Sequence, residues 1–303
     1  MSLLRLAVVG LLAVGLVYVV LWDIRTPQVT FLKAFLLAQL PAILTVAAVA
    51  WRSVAVTRGA VPFPVSVRAN GMTVGASLFL PARLGELGKP YYFFRVCGYP
   101  KKAGLAAVVK ERVWDVVGLA AVTVVLLFAL GQSADRAVLA TPAKGLALLG
   151  GAGLLILLVL PRIGAHRLPF ARFTVHFTEV LGGDRVPQIC LYFSISVLIW
   201  ILSFAILVVA YGASGLPPLT PLQLAFLFVV STLGLVIAVT PGGIGPYEGS
   251  IAALLVGYGL DWETGLSFAI GFRLTWMAAP LSVALVALAI DGKQLFERRE
   301  GAA

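Results

Sequence analysis

Nine ionisable side chains lie inside stretches that are otherwise apolar: Arg83, Glu86, Lys89, Lys110, Glu111, Arg112, Asp115, Glu248 and Arg273. Each would cost roughly 2.5–3.5 kcal/mol at the centre of a lipid-facing helix, so they must pair with one another or line a wet cavity. Guanidinium forks match phosphate oxygens in a bidentate way, which points Arg83, Arg112 and Arg273 towards a phosphate-bearing ligand. Glu86, Asp115 and Glu248 would hold those arginines or meet a cationic headgroup. In "KERVWD", residues 110–115, Lys110 and Glu111 precede Arg112 and Asp115, which are three apart and can pair on one helix face. Glu111 and Asp115 are four apart, and two like charges on one face need a shared proton or a cation, for which Arg83 or Arg273 is the candidate. The expected site is a wet, positively lined pocket near the middle of a bilayer. The same residues are compatible with an ion network that locks helices together, or with a proton relay.

These residues need a membrane scaffold to position them. The chain has 303 residues, 60% hydrophobic and 12% charged, with a mean hydropathy of +1.01. A soluble domain carries about 25% charged residues, so the composition excludes an ordinary soluble enzyme. The net charge of +10 is explained by cytoplasmic loops and lipid headgroups, with no nucleic-acid partner. Cys97 and Cys190 have no metal or disulfide spacing, and His166 and His176 read as ordinary polar residues of one loop. No metal, cofactor or catalytic residue is assigned.

The expected fold is all-α: a polytopic integral membrane protein forming a single domain over 1–303. Six full crossings are predicted at about 4–22, 33–51, 103–131, 144–161, 188–211 and 263–290. The first is too long for a signal-peptide core and is not followed by a small-residue cleavage site, so it reads as retained. Two further apolar regions are broken, at 68–80/86–96 around "PARLGELGKP" and at 221–239/247–258 around "PGGIGPYEG". Both read as re-entrant helical hairpins. Their turns are Pro81 and Gly85 in one, and Pro241, Gly242, Gly243, Gly245 and Pro246 in the other. Glycine permits tight turns and close approach, and Pro246 is suited to the first position of a new helix. Such a turn presents helix N-termini, which favour anions, to the membrane interior.

Loop charges orient the chain. With each broken region returning to its starting side, Arg5, Arg52, Arg58, Arg68, Arg95, Lys101, Lys102, Arg162, Arg167, Arg172, Arg185, Lys293, Arg298 and Arg299 share one side. Only Arg25, Lys33, Arg136 and Lys144 fall on the other, so both termini are expected in the cytoplasm. Residues about 170–182 alternate Phe170, Phe173 and Phe177 with Arg172, His176 and Glu179, which reads as a cytoplasmic interfacial helix or a solvated connector. The broken regions also align. Pro81 and Gly85 match Pro241 and Gly245 at a separation of 160 residues, and Gly104 and Arg112 match Gly265 and Arg273 at 161. Three crossings lie between the hairpins, so repeat halves of about 33–131 and 188–290 would be inverted. That arrangement is a recurrent transporter design.

Three motifs, "LPARLGELGKPYYF", "KERVWD" and "TPGGIGPYEG", in this order resemble the lysylphosphatidylglycerol synthase transmembrane-region family, the flippase-like membrane domain of proteins that make and flip aminoacylated phosphatidylglycerol. Arg83, Gly85 and Glu86 match its arginine–glycine–glutamate turn. Glu111, Arg112 and Asp115 match its charged helix, and Pro241, Gly242, Gly243, Gly245 and Glu248 match its proline–glycine–glycine turn. Bifunctional members carry a soluble aminoacyltransferase domain after the membrane part, whereas this sequence ends at "KQLFERREGAA". The resemblance therefore implies translocation of a lipid headgroup and not its synthesis. The expected activity is a flippase in a bacterial inner membrane, acting on a phospholipid, aminoacylated phosphatidylglycerol, polyprenyl lipid or glycolipid, with membrane lipids as partners and a homo-oligomer left open. The alternatives are a membrane-embedded headgroup transferase using carboxylates as acid or base, and a transporter of small soluble anions. No nucleophile elbow or nucleotide-phosphate loop supports the transferase.

Overall fold

The computed structural model describes residues 31–129, most of 144–155, 184–237, 240 and 243–296. The predicted crossing at 4–22 and the interfacial helix at 170–182 lie outside these residues, and so does much of the crossing at 144–161. Every described element is helical. We label them α1 (Phe31–Val56), α2 (Phe63–Ser77), a 3-10 turn (Pro81–Leu87), α3 (Gly88–Cys97), α4 (Lys101–Ala129), α5 (Val186–Ala213), α6 (Pro221–Ile237), α7 (Pro246–Gly257) and α8 (Trp262–Phe296).

Among the described residues, α1 from Leu32, α5 and α8 are long and apolar enough to cross a membrane, with mean hydropathies of 1.9, 2.7 and 1.8. Helix α4 has 29 residues, about 43 Å at ~1.5 Å per residue. Its first half carries Lys110, Glu111, Arg112 and Asp115, so the turns that hold them must be sheathed by protein, while Lys101 and Lys102 at its start are exposed. Helices α1 and α5 form one packed pair and α2 and α8 another, and α8 also packs on α7 and α1. The largest core cluster joins Leu207 and Tyr211 of α5, Phe226 and Leu227 of α6, Ile251 and Leu255 of α7, and Phe268 and Phe272 of α8.

The helix ends follow local chemistry. Thr220 and Gln223 form a reciprocal capping box at the start of α6, with Thr220 N–H donating to Gln223 Oε1 at 2.9 Å and Gln223 N–H to Thr220 Oγ1 at 3.2 Å. Asp261 caps α8 by accepting the Thr264 N–H at 2.8 Å. Helix α3 stops at Gly98, whose φ of 75° places it in the left-handed region where a side chain is disfavoured. Pro246 opens α7 behind Gly245, at φ 97°. Gly243 is likewise at φ 70°. Pro241 and Gly242 lie outside the described residues.

Both broken regions are helix–turn–helix units whose arms touch. A Cβ on Gly85 would stand 2.5 Å from the Ser77 backbone nitrogen, so the turn lies directly on the end of α2. A Cβ on Gly234 of α6 would stand 3.2 Å from the Pro246 carbonyl oxygen of α7. The units differ from the expected boundaries. The first arm begins at Phe63 and not near residue 68, because Pro62 and Pro64 start the helix earlier. The expected arm at 86–96 divides into the 3-10 turn and α3.

One displaced boundary alters the charge account. Helix α1 continues to Val56, beyond the predicted end at residue 51. Arg52, assigned to a loop by its sequence position, is instead helical and 1% exposed. Arg95, also assigned to a loop, is buried on α3 and donates to the Gln294 carbonyl at 2.9 Å. A full helical turn can carry a guanidinium inward where another helix supplies an acceptor.

Candidate functional site

A cavity of about 510 Å³ lies between α1, α2, α4, α5, α6, α7 and α8. One wall is charged, with Arg52, Glu86, Arg112 and Asp115, and with Asn70 beside them. The remainder is largely aromatic and aliphatic, including Trp200, Phe228, Phe272, Trp276 and Met277. Its described charged lining balances, two guanidinium groups against two carboxylates. Among the described side chains the lining is amphipathic; Arg83, expected in the positive lining, has its side chain outside the described set.

Asp115 organises the charged wall. Its Oδ2 lies 2.7 Å from Arg112 Nη1, the three-residue helical pair expected from spacing. Its Oδ1 accepts a hydrogen bond from Arg52, which also donates to Ser196 Oγ at 3.1 Å. Trp200 Nε1 donates to the Asp115 carbonyl at 3.0 Å and fixes α5 against the wall. Arg112 Nε stands 3.1 Å from Glu86 Oε2 in the 3-10 turn, with the two side chains 37% and 17% exposed. Arg112 is thus the accessible arginine of the wall, and Arg52 the buried one that supports it.

Behind the wall, Lys89 Nζ donates to Glu111 Oε2 at 2.6 Å and to Ser53 Oγ at 2.9 Å. Ser53 Oγ also accepts from Asn70 Nδ2 at 3.2 Å. Lys89 is 3% and Glu111 1% exposed. The cation that answers Glu111 is therefore Lys89, with Arg52 answering Asp115. The expected role of Arg273 between those two carboxylates does not hold, because Arg273 is engaged elsewhere.

Arg273 on α8 is bonded to Glu248 on α7 and donates to the Gly243 carbonyl at 3.1 Å. Its guanidinium lies 4.8 Å from the Tyr247 ring centroid. Glu248 Oε2 also accepts the Gly245 N–H at 2.9 Å, capping α7. Gly243 and Tyr247 line the cavity, whereas Arg273 and Glu248 are not among its lining residues. The pair shapes the turn that faces the cavity.

The other candidates divide. Lys110 points away from the cavity: its ammonium bonds to Asp184 and lies 4.7 Å from the Tyr192 ring centroid. Positions 110 and 112 are separated by about 200° around a helix, so both cannot face one pocket. Glu111 is buried against α3 and is not a lining residue. Of Arg83, only the backbone in the 3-10 turn is described, and its side chain lies outside the described set. Sequence reasoning missed Arg52, Ser53 and Asn70. The available signal was polar spacing along α1 and α2, with Thr45, Arg52 and Ser53 interrupting an apolar run. Among the described residues, no group of three His, Cys, Asp or Glu side chains is placed to hold a metal ion.

The family model described as the lysylphosphatidylglycerol synthase TM region matches residues 2–284. The chain belongs to this family. As a member of the lysylphosphatidylglycerol synthase TM-region family with several apolar helices, it is a multi-pass membrane protein of lipid-related character. No curated protein and no solved structure matches this family member.

Proposed function

We propose that the protein is a lipid flippase that carries a phosphate-bearing headgroup between leaflets through this cavity. The observation that carries the reading is the two-sided lining: Arg112 and its carboxylate partners on one wall, and Trp200, Phe228, Phe272 and Trp276 on the other. A lipid headgroup with its first methylenes has the same division. The phosphate engages Arg112, with Arg52 behind it, while Glu86 and Asp115 meet any cationic group on the headgroup. Lys110, Glu111, Glu248 and Arg273 act around this centre as supports of the turns and the wall.

In this reading the two broken units are re-entrant hairpins of inverted repeats, in a chain of about six full crossings with both termini in the cytoplasm of a bacterium. Two correspondences support the repeat. Arg112 pairs with Glu86 of the preceding turn, and Arg273 with Glu248 of its own. Gly104 approaches Pro90 of α3, where an added Cβ would stand 3.0 Å from Pro90 Cα, and Gly265 approaches Ala252 of α7 at 3.3 Å. Alternate opening of the hairpins would expose the cavity to each leaflet in turn.

The test is reconstitution of the full chain into vesicles holding fluorescent phosphatidylglycerol or a labelled polyprenyl phosphate, with a membrane-impermeant quencher outside. Quenching of more than the outer-leaflet half is expected, and R112A should return it to the level of empty vesicles. Vesicles that move neither lipid overturn the reading. Uptake of free phosphate in their place assigns the site to soluble anions.

A further inference from the structure

The neutral polar groups of the cavity lining have their protons engaged inside the protein. Thr45 of α1, Thr73 of α2, Ser203 of α5 and Thr232 of α6 each donate to the carbonyl four residues earlier, at 2.7–2.8 Å. Thr240, in the second turn, donates to the Ile244 carbonyl at 2.8 Å. A carbonyl has no proton to give, so the hydroxyl is the donor in every case, and lone pairs are what remain on its oxygen. Asn70 follows the same rule. Its amide nitrogen donates to the Ser66 carbonyl at 2.7 Å and to Ser53 Oγ at 3.2 Å, which leaves the amide oxygen. The Trp200 indole donates to the Asp115 carbonyl, and the Trp276 indole nitrogen is withdrawn from the accessible surface. Tyr247 is the exception, with only 5% of its surface exposed.

A ligand in the cavity therefore meets two kinds of polar surface. Arg112 supplies donors, which suit the oxygens of a phosphate. The neutral lining supplies acceptors, which a phosphate diester, with oxygens alone, cannot use. Some other part of the ligand must bring N–H or O–H groups, whatever the charges of the wall sum to. An ammonium concentrates its three donors at one nitrogen, whereas the hydroxyl oxygens sit on four helices and a turn and surround a volume. A polyhydroxylated ring carries donors around its rim and C–H groups on its faces. Trp200, Phe228, Phe272 and Trp276 give those faces an apolar surface to lie on. The volume of about 510 Å³ falls within the roughly 300–1,000 Å³ of sites that enclose whole small molecules, so a ring fits beside the phosphate.

We infer that the substrate carries a polyhydroxylated ring, a hexose or a cyclitol, on its phosphate, and that Thr45, Thr73, Ser203 and Thr232 accept the hydroxyl protons of that ring while Arg112 binds the phosphate. This rests on the flippase reading above and narrows its headgroup. The hydroxyl side chains are then the specificity-determining residues of the cavity. To serve a headgroup that only accepts, each would have to turn its proton away from the backbone carbonyl it now meets. A ring hydroxyl asks for no such change, because it brings its own proton to an oxygen already oriented to receive it.

The experiment is calorimetric titration of the detergent-solubilised full chain with four water-soluble dihexanoyl probes: phosphatidylinositol, phosphatidylglycerol, phosphatidylmethanol and phosphatidylethanolamine. The first three carry the same single negative charge and differ in their hydroxyl groups. Phosphatidylinositol should bind tightest, about tenfold or more above phosphatidylmethanol, with phosphatidylglycerol between them. T45V, S203A and T232V should each lower the ratio of phosphatidylinositol to phosphatidylmethanol affinity by about two- to tenfold, the effect of one hydrogen bond. Should T232V, at the most buried of these positions, fail to fold, T45V and S203A decide the question. Equal affinity for the three anionic probes overturns the inference and leaves the flippase reading standing. Phosphatidylglycerol bound as tightly as phosphatidylinositol overturns the ring, and phosphatidylethanolamine bound tightest gives the acceptors to an ammonium instead. An unchanged affinity ratio in the variants overturns the assignment to these hydroxyls. Absence of binding by all four probes overturns the phosphate-headgroup reading together with the inference.

Discussion

Arg273 of α8 and Glu248 of α7 are paired across 25 residues of sequence, with Arg273 also holding the Gly243 carbonyl at 3.1 Å. One guanidinium therefore secures both the turn and the first residues of the helix that follows it. Arg112 and Glu86 repeat the relationship in the other broken unit, but at the cavity edge, where Arg112 is 37% exposed. The same device is structural in one broken unit and accessible in the other, and their substitutions should separate on that basis.

R273A leaves Glu248 charged and buried without its partner, and should lower stability by about 3–5 kcal/mol. R273M/E248Q removes both charges and should recover much of that loss. Thermal unfolding in detergent, followed by tryptophan fluorescence, gives the comparison. Equal loss in both variants would show that the cost is one of packing and not of an orphaned charge.

R112A should behave in the opposite way. The side chain is 37% exposed and Asp115 keeps Arg52 as a partner, so the loss of stability should be smaller than in R273A, while lipid movement falls to background. A melting temperature reduced as far as that of R273A would place Arg112 among the scaffold residues.

G85A and G88A test the first turn. A Cβ at Gly85 would stand 2.5 Å from the Ser77 nitrogen and 2.9 Å from the Ala76 carbonyl carbon, whereas Gly88 has open space around it. Gly88 is at φ −70°, which alanine adopts freely. G85A should cost about 1–3 kcal/mol through overpacking against backbone, and G88A should be neutral or slightly stabilising.

G71A addresses the seam between α2 and α8. Its Cβ would meet Val283 Cγ1 at 2.7 Å, the Ala284 nitrogen at 2.8 Å and the Pro280 oxygen at 2.9 Å. Two of these are backbone atoms, so the helices themselves must separate. Small residues permit such close crossings inside membranes. Loss of about 1–3 kcal/mol is expected, and G75A, with its nearest neighbour at 3.4 Å, should cost less.

Asp261 supplies a pH dependence outside the membrane-spanning segments. Hydrogen bonds from Thr264 hold its carboxyl below the usual carboxylate range. A depressed folded-state value means the cap stabilises above the unfolded-state value, about pH 4, and that contribution disappears as pH falls through the folded-state one. D261A should therefore melt below the wild type at pH 7, with the gap closing as the solution is made strongly acidic. D261N, an equally good cap, should melt close to the wild type at pH 7.

The helices and the family membership were legible in the residues themselves. Long apolar runs demand helix wherever backbone groups leave water, and turn glycines, Pro246 and the Arg112–Asp115 spacing act over a few residues. Partner choice was not legible in this way. Lys89 meeting Glu111, Arg52 meeting Asp115, and Arg273 leaving both for Glu248 depend on how far α1 continues and which faces of α4 and α8 turn inward. Those are properties of helices packed together. The charge balance of the described lining follows from them, because burial penalises every unpaired ion and only the assembled bundle decides which ions are close enough to pair.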